Sequence, residues 1–362
     1  MPKKIRAGII GVGNCFAGLI QGIEYYRQYP KKEVVGLMHE KIGPYRFSDL
    51  DFVSAFDVGR NKIGRPLDEA VYAAPNLVKW TKLPKSETIV NEAPILDGVG
   101  IYVLNKIQPL KNPTSPKILK KQILEQVFKT KTEVLVNYLP VGSQKATEFW
   151  AQIALETGCA FVNCIPVFIA SDKNWSQKFS RAKLPIIGDD IKGQIGATIV
   201  HRVLAKLCDD RGSKISRTYQ LNVGGNTDFL NMKEYSRLKS KKISKTRSVL
   251  SQISRELKAD DVYVGPSDFI PFLGNTKLAF IRIEGRMFAD VPYSMEMRLE
   301  VDDKANSAGI VIDAVRLAKT ALDRKIGGYL EVSSYLMKHP LRQLSDSAAK
   351  QVVEDFIKNK KK

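Results

Sequence analysis

Residues 4–15 read KIRAGIIGVGNC. Lys4 to Ile10 is a short, mostly apolar run, the pattern of a strand buried on both faces of a parallel sheet. It stops at Gly11-Val12-Gly13 and passes through Asn14 and Cys15 into an amphipathic stretch reaching about Tyr26. Strand, glycine turn and helix thus follow as one unit. Glycines at such a turn let the backbone approach a pyrophosphate, whose charge the helix N-terminus then favours. The full GxGxxG spacing would place glycine at 16, where the chain has Phe16 and the next glycine is Gly18. Taken alone, Gly11 and Gly13 fit a tight structural turn as well.

Working outward, Phe52 to Phe56 is a second strand-like run, and it ends in Asp57. An acid at that point holds a ribose hydroxyl in NAD-type domains and disfavours the 2′-phosphate of NADP. It lies more than twice the usual ~20 residues beyond the glycines, so residues 28–50, with Gly36, Gly43 and Pro44, read as an insertion. Further strands are predicted at Glu133–Tyr138, Ala160–Cys164 and Pro185–Ile187, with helices near 116–128, 145–157 and 173–182 between them. That alternation predicts a Rossmann-like, doubly wound parallel sheet. Ligands sit beyond the carboxyl ends of such strands, which directs attention to Tyr138 through Ser143, Asn163 to Pro166, and Gly188-Asp189-Asp190. The last triplet is expected to open a helix, where Asp189 and Asp190 would serve equally well as N-cap acids.

From about Ser216 the pattern alternates as an antiparallel sheet does, over 216–223, 277–288 and 293–302. The expected organisation is a nucleotide-binding domain over 1–200 and an α+β domain with an open, mostly antiparallel sheet over 201–305. Helices within 306–362 then pack back on the first domain. In the second domain, Asp228 is followed by Lys233, Arg237, Lys239, Lys241, Lys242, Lys245 and Arg247, with the single acid Glu234 among them. If that segment is helical, Lys241 and Lys245 lie one turn apart on one face. Two ammonium groups so placed suit a phosphate monoester, and each makes the other easier to deprotonate. A solvated basic helix face is the plainer reading. Lys277 at the start of a strand, Asp303 after one, and Lys338 at the end of a helix before Pro340 complete the charged residues of this half.

The chain carries a net charge of +19, spread along its length rather than gathered in one arm. It contains no helix-turn-helix, zinc-finger or RNP-type signature, so an anionic small substrate accounts for the charge as well as nucleic acid does. No apolar run approaches the ~20 residues of a membrane span, and four cysteines without CxxC spacing point to a reducing cytoplasm. Three scattered histidines give no metal-ligand spacing.

The words GVGNC at 11–15, LVNYLPVGS at 135–143, IIGDDIKGQIGATIVHRVLAKL at 186–207, QLNVGGNTDFLNM at 220–232, SKKISKT at 240–246, NSAGIVIDAVR at 306–316 and YLMK at 335–338 resemble the myo-inositol-1-phosphate synthase family in its shorter archaeal and bacterial form. The resemblance spans essentially the whole chain. It implies an isomerase that turns glucose 6-phosphate into inositol phosphate with bound, regenerated NAD: C5 is oxidised, C6 enolises and attacks the C1 aldehyde, and C5 is reduced again. It implies Lys241, Lys245, Lys277 and Lys338 as catalytic lysines, with Asp228 and Asp303 orienting lysines or substrate hydroxyls. Lys241 and Lys338 are expected to serve proton transfer at the C5 oxygen, Lys277 to stabilise the C1 oxygen during closure and Lys245 to help hold the phosphate. Cofactor contacts carry over as Gly11, Gly13, Asn14, Cys15, Asp57, Tyr138, Ser143, Asp189 and Asp190. Where eukaryotic relatives have an acid two residues before the third lysine, this chain has Asn275. The resemblance further implies a homotetramer built through the second domain's sheet and, as in some archaeal and bacterial members, a divalent metal beside the nicotinamide phosphate. The competing expectations are a net NAD-dependent sugar- or polyol-phosphate dehydrogenase on the same scaffold, and a basic nucleic-acid-binding protein.

Overall fold

The computed structural model describes residues 4–359. Of the basic run Lys358–Lys362, residues 360–362 lie outside it. The opening run forms β1 (Ile5–Ile10), every residue of which except Arg6 is buried. It feeds helix α1 (Asn14–Gln28) directly. The strands β2 (Leu50–Asp57), β3 (Val90–Glu92), β4 (Val134–Asn137), β5 (Ala160–Asn163) and β6 (Pro185–Ile187) follow. Helices α2 (Pro116–Lys129), α3 (Gln144–Thr157) and α4 (Lys173–Arg181) occur between the later ones. β4 and β5 are buried at every position, as strands covered on both faces must be.

Helix α5 (Ala197–Asp210) leads into the second sheet, made of β7 (Lys214–Gly224), β8 (Val262–Phe269), β9 (Thr276–Arg286) and β10 (Pro292–Asp302). The basic segment folds as helix α6 (Lys239–Leu250). The chain then returns through α7 (Ala305–Asp323), the short strand β11 (Gly328–Tyr329) and α8 (Asp346–Ile357).

The first sheet has the order β11-β6-β5-β4-β1-β2-β3, with every pairing parallel. Numbered along its six N-terminal strands this is 3-2-1-4-5-6, the dinucleotide-binding winding. Strand order reverses between β1 and β4, so the carboxyl ends of those two strands define the crevice. α7 packs against β5, β6 and α1, and its interior residues Ala308 to Ala321 are all buried. The second sheet has the order β8-β7-β9-β10. Its β7–β9 and β9–β10 pairs are antiparallel, and β8 joins β7 in parallel. α5 and α6 cover one face of it.

Two local expectations change. Residues 188–190 do not open a helix; the chain bends there, with Asp190 at φ +62°, and Ile191 bridges to Met337. Lys338 likewise stands beyond the helical turn Ser333–Leu336, in a bend after the extended Met337, and its N–H donates to the Asp190 carbonyl at 2.7 Å. Both segments trade local helix bonds for pairing with each other.

Candidate active site

The crevice at the β1/β4 switch opens into a cleft of about 1830 Å³, its open mouth included. Gly11 adopts φ +90°, and a methyl group there would meet the Tyr138 carbonyl oxygen at 3.0 Å; only glycine fits the approach of the two loops. Gly13 stands at the N-cap of α1 without a side-chain cap, and a Cβ on it would meet nothing within 4 Å. The first-turn N–H groups of α1 therefore lack side-chain acceptors beside open space, as an anion cradle requires.

Asp57 fixes that turn. Its carboxylate accepts from the N–H groups of Val12, Val58 and Gly59, each at 2.8 Å. Lys62, almost fully buried, donates to the Val12 carbonyl at 2.8 Å and lies 3.8 Å from Asp57. Asn76 donates to the same carbonyl at 3.0 Å. Asn14 accepts from the N–H of Leu77 and donates to the Asn275 side chain across the cleft, so Asn275 acts as a bridge between the halves. The Tyr138 hydroxyl is buried at the cleft with no hydrogen-bond partner among the described residues. Burial pushes its phenol well above the ordinary range, so it stays a donor.

The second half supplies the charge. Along α6, Lys241, Ser244, Lys245, Ser248 and Val249 are buried while the intervening lysines are not, so a helix with no acid in its first turn is held by tertiary contacts rather than by its own dipole. Ser244 donates to Asp190 at 2.6 Å, and the buried Arg202 of α5 donates to Ser248 in its last turn. Asn226 caps the turn Thr227–Asn231 and thereby aims Asp228 at Lys241, 3.5 Å away. Lys277 begins β9 and lies 3.2 Å from Asp303, just past the end of β10. Lys338 lies 2.9 Å from Asp190.

Six ammonium groups (Lys62, Lys241, Lys245, Lys277, Lys304, Lys338) and four carboxylates (Asp57, Asp190, Asp228, Asp303) line this one cleft. Burial alone would lower Lys241, but Asp228, Asp190 and Asp303 outweigh it and hold that ammonium above its ordinary range. Lys245 has no carboxylate at ion-pair distance among the described residues. Burial, reinforced by Lys277, Lys241 and Lys338, drives it well below the ordinary range. Lys338 is also lowered: burial, with Lys241 and Lys277, outweighs the attraction of Asp190. Asp190 itself stays low despite burial, because Lys338, Lys241 and Ser244 stabilise its anion. Burial opposes the charge of Asp303 too, yet Lys277, Lys304 and Lys241 keep it well below the carboxylate range.

All six residues expected at the chemistry line the cleft, as do Gly11, Gly13, Asn14, Cys15, Asp57, Tyr138 and Asp190. Ser143 and Asp189 do not. The Ser143 hydroxyl is buried against the Pro140 carbonyl at 2.6 Å and accepts from Arg237, so it ties the 140–143 loop to the second domain. Asp189 is wholly buried, accepting from Asn163, from the N–H groups of Ile169, Ala170 and Ser171, and from the Ser171 hydroxyl. Its carboxylate is turned to the 163–171 loop and away from the cleft lining. Sequence reading misses Lys62 and Lys304. The signals are present: a lysine five residues past the ribose-type acid, and one directly after Asp303.

A family model described as myo-inositol-1-phosphate synthase matches residues 196–304, the span from the approach to α5 to the end of the second sheet. An inositol-3-phosphate synthase of Mycolicibacterium smegmatis is 51% identical over 361 residues, covering 98% of both chains. One of Mycobacterium tuberculosis is 50% identical over 357 residues, covering 98% of this chain and 96% of its own. Among solved structures, that of Ari2 superposes with a TM-score of 0.80 at 31% identity, covering 99% of each chain.

Proposed function

This chain belongs to the myo-inositol-1-phosphate synthase family, and from that premise we propose that its cleft converts D-glucose 6-phosphate to 1L-myo-inositol 1-phosphate (1D-myo-inositol 3-phosphate) without net consumption of NAD. The observation that carries the proposal is convergence: four lysines from three separate segments meet beside a glycine turn at the switch point of a parallel sheet. NAD fits the residues present. The uncapped start of α1 at Gly13 and Asn14 would take its pyrophosphate, Asp57 borders the ribose position, and the unpartnered Tyr138 hydroxyl offers a free donor. When bound, the nicotinamide would take a hydride from C5 and later give it back.

The chain's own residues then divide the proton and charge work. Lys338, lowered yet anchored by Asp190, is suited to take and return the C5 hydroxyl proton. Lys241, kept charged by three carboxylates, serves better as a fixed cation beside that oxygen than as a proton carrier. Lys277 with Asp303 stands ready for the C1 oxygen as the ring closes. Lys245, short of counter-charge, is the group a dianionic phosphate would recharge and hold. For a divalent metal held by protein side chains alone the donors do not fit: among the described residues no three His, Cys, Asp or Glu side chains converge.

Assembly as a homotetramer is supported by the bare outer face of the second sheet, where Tyr219, Tyr263 and Phe280 lie exposed. No helix among the described residues is long and apolar enough to cross a membrane, and the four free thiols suit a reducing cytoplasm. Incubation with labelled glucose 6-phosphate and NAD tests the reaction. Inositol phosphate should form without accumulating NADH; steady NADH production would instead mark a dehydrogenase.

A further inference from the structure

Lys304 has no part in the chemistry assigned above, yet it is among the most buried charged side chains of the protein, 1% exposed. It follows Asp303 at the point where β10 gives way to α7, and the Asp302 carboxylate fixes its backbone by accepting from the N–H groups of Lys304 and Ala305. Its stem runs along α1 so closely that a Cβ on Gly18 would meet the Lys304 Cβ at 3.0 Å. The ammonium ends 3.4 Å from the Cys15 sulfur in the first turn of α1 and 3.2 Å from one oxygen of Asp303, whose other oxygen faces Lys277.

Burial opposes the charge of Lys304, but Cys15, Asp303 and Asp228 outweigh it and hold the ammonium well above its ordinary range. A helix N-terminus carries positive partial charge, and α1 has neither an acid in its first turn nor a side-chain cap. Asp303, the carboxylate in contact, is shared with Lys277. An ammonium also has three donors, and the described residues supply acceptors for two, one of them a weakly accepting sulfur. A buried cation at an uncapped helix start, facing a cleft with one N–H to spare, calls for an anion at that spot.

We infer that Lys304 is a cofactor-binding residue that contacts the pyrophosphate of the dinucleotide together with the N–H groups of the α1 first turn. The inference rests on the reading that the cleft takes NAD. The sugar phosphate is the other anion at hand, but Lys304 stands on the nucleotide side of Asp303, against α1, whereas Lys277 takes the side facing the α6 lysines. Loss of one charge-assisted hydrogen bond of this kind weakens binding by about 10- to 100-fold.

Calorimetric titration of the full-length protein and of Lys304→Met with NAD, ADP-ribose, adenosine and glucose 6-phosphate tests it. The variant should lose about 10- to 100-fold in affinity for NAD and, equally, for ADP-ribose, which keeps the pyrophosphate but not the nicotinamide. Adenosine should bind as before, and Lys304→Arg should recover most of the loss. Unchanged ADP-ribose affinity in the folded variant overturns the inference, and so does a loss confined to glucose 6-phosphate. An equal loss for adenosine would mean a distorted site and also overturns it. Should Lys304→Met fail to fold, Gly18→Ala keeps the charge but presses on the lysine stem, and it should weaken ADP-ribose several-fold while sparing adenosine. If the unaltered protein binds no NAD, the cofactor reading itself falls.

Discussion

Replacing Asp190 by asparagine keeps the shape of the side chain and removes the one carboxylate that faces Lys338 at 2.9 Å. Breaking a buried ion pair by deleting one partner costs about 3–5 kcal/mol when the remaining charge stays buried. Lys338 has a way out, because it can give up its proton. Neutralising a lysine whose unfolded pKa is about 10.4 costs about 4.6 kcal/mol at pH 7 and about 1.9 kcal/mol at pH 9. These figures bound the damage. In the Asp190→Asn protein the folded pKa of Lys338 falls further below its unfolded value, so the unfolded chain binds the extra proton and stability rises with pH through that window. Denaturant unfolding of both proteins at pH 7, 8 and 9 should show a destabilisation of about 3–4 kcal/mol at pH 7 that shrinks towards roughly 2 kcal/mol by pH 9. A difference below about 0.5 kcal/mol at pH 7, or one that does not change with pH, would refute the account of this pair.

Lys277→Ala should lower turnover about 10²–10³-fold, as loss of a group stabilising a developing oxyanion does. Its melting temperature should stay close to that of the unaltered protein, since Asp303 keeps Lys304 as partner. Because burial and the neighbouring lysines make Lys245 easier to deprotonate in the empty cleft, whereas a dianion favours its charged form, glucose 6-phosphate binding should take up protons and weaken as pH rises, by at most about tenfold per unit above about pH 7, where the phosphate is already dianionic. Calorimetry in two buffers of different ionisation enthalpy reads this directly, and proton release would sink it. Arg202→Met should cost about 2–4 kcal/mol in unfolding experiments, because the buried guanidinium joins Asp346, Ser251 and the Leu344 carbonyl to the last turn of α6. Turnover should fall with it, and a variant as stable as the parent would show that α6 is held by other means.

The parts legible in sequence are those whose signal is local. β1, β4 and β5 carry short, mostly apolar runs, the glycine turn and the amphipathic α1 follow β1 directly, and the Lys241/Lys245 spacing marks one face of a helix wherever that helix packs. β8 is hidden because Gly265, Pro266 and Asp268 break its pattern; at the edge of a sheet a proline is tolerated, and edge position is a tertiary property. The helix expected at Gly188-Asp189-Asp190 is absent for a related reason. The bent, non-helical backbone there is stabilised by Met337 to His339, about 150 residues away, and no local window reports such a partner. Asp189 and Asp190 are neighbours of the same type, yet one is sealed among backbone amides and the other faces lysines. The chain turns through φ +62° at Asp190, which separates scaffold from site, and a helical reading of the same residues conceals that turn. Lys62 and Lys304 are missed because a lone lysine looks like surface until its burial is known.

The pairing of residues 189–191 with 337–339 also sets an order of events during synthesis. The glycine turn, the ribose-side acid and five parallel strands emerge from the ribosome early, yet the sixth strand meets β11, and Asp190 meets Lys338, only after the whole second domain has been made. A chain halted anywhere in that interval would hold a nearly finished nucleotide crevice without Lys338. The full set of cleft lysines is therefore assembled only when the returning segment closes against residues 189–191.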